Sequence, residues 1–191
     1  MNTASFARPF RLSLPLVAVV ACTSPQARTE PAQSAVARGE YLVNYGGCND
    51  CHTPKVFSAA GPAPDPSRLL SGHPAETQLP VLPAGVVGAD PTKWGAVATG
   101  DLTAWSGPWG TSFAANLTPD ATGLAAWNDS LFIATMRTGK HWGSGRAILP
   151  PMPWFSLNAL TDDDLRAVFA YLRSIKPVAN LVPQPLPPAT P

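Results

Sequence analysis

Residues 149–173 read LPPMPWFSLNALTDDDLRAVFAYLR, a proline-flanked methionine followed by a strongly patterned helix. Thr161 offers a hydroxyl N-cap, and Asp162, Asp163 and Asp164 form an acidic first turn that suits the helix dipole, with Asp164 at the capping-box position. Leu165, Val168, Phe169 and Leu172 then recur at helical spacing, which puts four apolar side chains on one face. Arg173 and Lys176 suit the C-terminal end, and Pro177 stops the helix. Ahead of it, Pro150, Pro151 and Pro153 bracket Met152 and leave its backbone little entropy to lose. A stiff loop of this kind can hold a thioether in one place, with Trp154 and Phe155 covering it from water.

Working outward, Gly47-Cys48-Asn49-Asp50-Cys51-His52-Thr53 contains C-x-x-C-H, the attachment signature of haem c. Two intervening residues let one turn of chain bring both sulfurs to neighbouring porphyrin vinyl groups as thioethers. The adjacent His52 then falls under the iron as proximal ligand. Three rival readings are weaker. A redox-active C-x-x-C calls for a thioredoxin-like βαβ context, which is absent. Zinc calls for further Cys or His ligands at short spacing, and only His73 and His141 remain. A disulfide across two residues leaves His52 unexplained. For the distal side of the iron, Met152 is the expected ligand. Met136 sits at an apolar helical position that reads as core packing, His141 as a surface residue near the haem rim, and His73 as a rival ligand. The six tryptophans read as core and haem packing, one or two of them as donors to a haem propionate.

The third cysteine belongs to the N-terminus. Arg8 and Arg11 precede the short apolar run Leu12–Ala21, which Pro15 interrupts and which is too short for a membrane span; it reads as a secretory signal. Val19-Val20-Ala21-Cys22 resembles the lipobox of bacterial lipoproteins, which implies cleavage before Cys22, lipid on its sulfur, and stable anchoring by several acyl chains. Residues 1–21 are therefore the signal peptide and residues 22–34 a polar tether, with a reach on the order of 20 Å. The folded domain is expected over 35–177, and a proline-rich, extended surface tail over 178–191. All three cysteines are thereby committed.

Within the domain, Ala35, Val36, Gly39, Leu42 and Val43 predict a first helix over 35–45, ended by Gly46-Gly47. Residues 54–126 lack periodicity and read as irregular wrapping loops with a short helical turn at Pro66–Leu70. A further helix is expected over 128–138, capped by Asn128 or Asp129, with Leu131, Phe132 and Met136 on one face. The chain has 191 residues, 23 prolines, 45% hydrophobic residues and a formal net charge of +1. That composition supports one packed domain with much loop, and the near-neutral charge gives no reason to expect nucleic acid as a partner.

Helix, C-x-x-C-H, wrapping loops, methionine loop and terminal helix together resemble class I cytochromes c over residues 36–177, a mostly α fold with long irregular loops wrapping one haem. More narrowly, Asn116-Leu117-Thr118-Pro119-Asp120, Met136-Arg137-Thr138-Gly139-Lys140-His141, Pro151-Met152-Pro153-Trp154 and the segment 165–173 resemble cytochrome subunits of bacterial dehydrogenases. The resemblance implies that Gly39 meets the terminal helix near Tyr171. It also implies that the pair Gly61-Pro62 supplies the carbonyl that accepts from His52 Nδ1. The segment 64–115 has no counterpart in minimal members, and those dehydrogenase subunits often carry several haems where this chain has one C-x-x-C-H.

With His52 and Met152 both on iron, no position stays open for substrate, and the expected role is electron transfer rather than catalysis. The implied partners are redox proteins: a dehydrogenase, a terminal oxidase or another cytochrome, met on the periplasmic face of the membrane. A haem sensor or peroxidase-like enzyme with a labile distal ligand, or a haem-bearing component of a larger surface assembly, are the alternatives. Arg137, Lys140 and Arg146 lie within ten positions and predict a basic rim for docking.

Overall fold

Ser34 starts the first helix, its side chain accepting from Ala37 N at 3.2 Å. The computed structural model describes Met1 and residues 33–188, apart from 83–85, 88–89, 91 and 93–94. The expected signal peptide, Cys22, the tether up to Ala32, and Trp94 lie outside the described residues. Helix α1 spans Ala35–Tyr45 and α2, Cys48–His52, follows directly. After the central segment come α3, Asp129–Thr138, the single turn α4, Trp154–Leu157, and α5, Asp162–Ser174. The three long helices match their expected spans. Asn128 caps α3, accepting from Leu131 N at 2.9 Å, and Thr161 caps α5, accepting from Asp164 N at 3.1 Å.

The core lies between these helices, where Val43, Leu124, Phe132, Met136, Leu165, Val168, Phe169 and Leu172 are buried together with Leu70 from the central segment. Met136 is thus a packing residue, as its helical position predicts. Gly39 is buried on α1, and a Cβ there would collide with the Ala167 carbonyl and lie 2.8 Å from Tyr171 Cβ. Only a residue without a side chain lets α1 and α5 cross this closely, so the expected approach of Gly39 to Tyr171 holds. Arg38 Nε bonds Asp164 at 2.9 Å across the same crossing.

The central segment corrects the mostly α expectation. It holds five short strands rather than loops alone, so the described residues form a mixed α/β domain. Strands β1, Lys55–Ser58, and β2, Gly61–Pro64, form a hairpin. Strands β3, Val97–Ala98, β4, Ala104–Gly107, and β5, Gly110–Phe113, form an antiparallel sheet in that order. Strands of two to four residues, interrupted by glycine and proline, are too short to show an apolar alternation. The expected helical turn is present as a 3-10 turn at Pro66–Arg68.

Residues beyond Pro177 are extended but not a free tail. Asn180 is buried and donates to the Ser71 and His73 carbonyls at 2.7 and 2.9 Å. It also accepts from Ala75 N at 2.9 Å, and Leu186 pairs with Thr111. The domain therefore runs past the expected boundary at 177, because the buried backbone polar groups of residues 71–75 need partners and this segment supplies them.

Candidate functional site

Gly47, in the left-handed conformation at φ 65°, turns the chain out of α1 and into α2. That short helix presents Cys48 and Cys51 as unpaired, half-buried thiols, with His52 next to them at 8% exposure. Burial pushes the Cys48 thiol up to about 11 and raises Cys51 as well. Such thiols are protonated at neutral pH, the opposite of a thiol–disulfide enzyme's activated thiolate. Burial lowers the pKa of His52, which keeps the imidazole neutral. Its Nδ1–H donates to the Ala115 carbonyl at 2.8 Å, so Nε2 carries the lone pair. Two free thiols flanking two residues, beside a neutral imidazole with an uncommitted Nε2, fit the donor set that haem c requires. Among the described residues no group of three His, Cys, Asp or Glu side chains could hold a metal ion instead.

The acceptor for His52 is a correction. Pro62 lies exposed in β2, in register with Phe57 of the hairpin, so the pair Gly61-Pro62 is turned away and Ala115 takes its place. The central segment brackets the motif from several sides. Leu70 N donates to Thr53 Oγ1 at 2.8 Å, Gly72 N to the His52 carbonyl at 2.8 Å, and His73 N to the Ala114 carbonyl at 2.9 Å. Thr53 itself is fully buried and donates to the Asn49 side chain at 2.8 Å.

Met152 is half-buried in the loop before α4, its carbonyl accepting from Trp154 N at 2.9 Å. Two features hold this loop. The Trp154 ring lies against Gly139, where any Cβ would strike it, and Ser112 of β5 donates its hydroxyl to the Pro150 carbonyl. Ser112 and Ala115 are close in the chain, separated by roughly 10 Å of extended backbone. One short segment therefore anchors both the Met152 loop and His52.

The rival His73 is 1% exposed. Its Nδ1 lies 2.7 Å from Thr103 Oγ1, and that hydroxyl donates to Asp101 at 2.8 Å. His73 Nδ1–H must therefore donate, which leaves a buried Nε2 lone pair without a partner. His141 packs edge-on to Trp127, ring centroids 5.3 Å apart. Among the described tryptophans, Trp109 alone has a buried indole N–H with no acceptor. The basic rim is reduced: Arg137 turns inward, bonding the Leu160 carbonyl at 2.8 Å and Asp162 at 2.6 Å. Lys140 and Arg146 stay exposed, with no ion pair among the described residues.

No protein-family model matches the chain. A nicotinate dehydrogenase subunit of Pseudomonas putida is 35% identical over 104 residues, 54% of this chain and 9% of that protein. The gluconate 2-dehydrogenase cytochrome c subunit of Pantoea cypripedii is 29% identical over 147 residues, 76% of this chain and 24% of that subunit. The cytochrome c subunit of the quinone alcohol dehydrogenase of Gluconobacter oxydans is 25% identical over 166 residues, 85% of this chain and 26% of that subunit. The chain is similar, at low identity, to proteins named as cytochrome c subunits of bacterial dehydrogenases. It spans about a quarter or less of the length of these curated relatives.

Sequence reasoning did not find Ala115, Ser112, Thr103 or Lys55, whose Nζ sits on the carbonyls of α2. Ala115 acts through its main-chain oxygen, and the Lys55 ammonium acts on the main-chain oxygens of other residues, which leave no residue-type signature. Ser112 and Thr103 are ordinary polar residues in a segment without periodicity.

Proposed function

We propose that this chain carries electrons for a dehydrogenase, through one haem c that Cys48 and Cys51 would attach and whose iron His52 and Met152 would hold. The observation that carries the reading is the commitment of His52 Nδ1–H to Ala115, which reserves Nε2 for iron beside two unpaired thiols. The homologous dehydrogenase subunits support the partner class. When bound, the haem supplies Fe(III)/Fe(II) cycling. The chain supplies attachment, a neutral imidazole, and a proline-stiffened thioether. A neutral sulfur ligand favours the ferrous state, although Phe155, expected to cover Met152 from water, is 65% exposed.

Lys140 and Arg146 suit docking to an acidic patch on the redox partner. The rate of electron transfer to the native partner is then expected to fall steeply with ionic strength, since exposed charges are screened within about 10 Å at ~0.1 M salt. Neutralising both residues should flatten that slope and leave the optical spectrum unchanged. A salt-independent wild type would remove this docking surface.

Attachment to the periplasmic face of a membrane through lipid on Cys22 completes the proposal. Among the described residues no helix is long and apolar enough to cross a membrane. Cys22→Ser is expected to release haem protein that fractionates without detergent. Unchanged membrane association of that variant would mean another anchor.

A further inference from the structure

Lys55 stands just beyond Thr53, at the start of β1. Its Nζ lies 2.6 Å from the Thr53 carbonyl, 2.8 Å from that of Asp50 and 3.2 Å from that of Asn49. The Asp101 carbonyl, at 3.5 Å, closes the set from the central segment. An ammonium has three protons to donate, and here they go to main-chain oxygens alone. No carboxylate pairs with it among the described residues. The Asp101 side chain is taken up by Thr99 and Thr103.

The carbonyls of Asn49 and Asp50 belong to α2, the helix that carries both thiols and His52. The Asn49 carbonyl also accepts from Thr53 N at 3.3 Å, and the charge of a lysine is favourable at the carbonyl end of a helix. A fixed cation without a carboxylate partner thus sits directly behind the residues that would hold the haem.

We propose that Lys55 is a positioning residue for the Cys48–His52 helix and a fixed positive charge that raises the reduction potential of the haem. This rests on the haem reading above. Reduction adds one negative charge at the iron, and a nearby cation in a partly desolvated setting stabilises the reduced state more than the oxidised one. The partners of Lys55 are carbonyls, so no paired carboxylate cancels that preference.

The test uses the full-length protein matured with haem, as wild type, Lys55→Met and Lys55→Arg, followed by mediated redox titration. Lys55→Met should keep its haem through acid-acetone extraction and keep a low-spin spectrum. At the wild-type midpoint its ferrous-to-ferric ratio should fall about tenfold, equivalent to about 59 mV for one electron. Lys55→Arg, which keeps the charge, should stay within about twofold of wild type. If Lys55→Met is not recovered with haem, Lys55→Gln carries the same expectation, because its amide can still donate to a carbonyl. A wild-type midpoint in the neutral variants would overturn the proposal. So would an equal shift in Lys55→Arg, which would point to packing rather than charge. Wild-type protein that matures without haem would overturn the cofactor reading itself, a different failure from an unmoved midpoint.

Discussion

Serine at both Cys48 and Cys51 is expected to leave a protein whose haem, if any is retained, is lost completely to acid-acetone. Thioether bonds survive that treatment, and these are the two cysteines among the described residues. Serine cannot form the bonds, yet it fills nearly the same volume, so the fold around α2 should persist. His52 would still offer Nε2, because its bond to Ala115 does not involve the thiols. Weakly held, extractable haem is therefore the expected state, with a pyridine haemochrome spectrum shifted from that of a saturated, twice-attached porphyrin to that of one with free vinyl groups. Haem that resists extraction from the double variant would place the attachment elsewhere and sink the assignment. Each single variant should lose one thioether and show an intermediate shift.

Met152→Ala should convert a six-coordinate, low-spin haem into one that binds cyanide or carbon monoxide readily and has a lower potential. The loop that carries Met152 is pinned by Ser112 and by the Trp154–Gly139 packing. Removing the thioether thus opens a coordination position without freeing the loop, and a water or an added ligand takes it. His73→Ala is the necessary companion. Its buried, unpartnered Nε2, with Nδ1 held by Thr103, has the form of a metal-ligating imidazole whose second nitrogen is anchored. Should His73→Ala open the haem to cyanide while Met152→Ala leaves it closed, the distal ligand is histidine. Should both variants leave ligand binding as fast as in wild type, the sixth position is already open. A sensor or peroxidase-like role would then replace electron carriage.

Local patterns in the sequence determined the helices. Thr161 with its acidic turn, the apolar spacing from Leu165 to Leu172, and the side chains ahead of Gly46-Gly47 predicted elements whose spans the structure matches. Helix formation depends on neighbours about one turn away, so it is written locally. Gly39 was legible by another route. Its close approach to the terminal helix was implied by the resemblance to class I cytochromes c, and the collision that any Cβ would suffer against Ala167 supplies the physical cause.

What the tertiary structure decided lies in the central segment. The partner of His52 was expected at Pro62 and is Ala115, a separation of 63 residues from the histidine. A backbone carbonyl is the same acceptor on every residue, so no side chain could announce which one would arrive there. The strands between Lys55 and Phe113 were equally silent, being shorter than any pattern that would reveal them. The docking of Asn180 and Leu186 was likewise unreadable in a segment expected as an extended surface tail, because residues 71–75 and β5 take hydrogen-bond partners from outside their own segment. Motif chemistry was therefore set by residue type and short spacing. Its scaffold was set by main-chain hydrogen bonds across long separations, which sequence alone does not encode in any readable pattern.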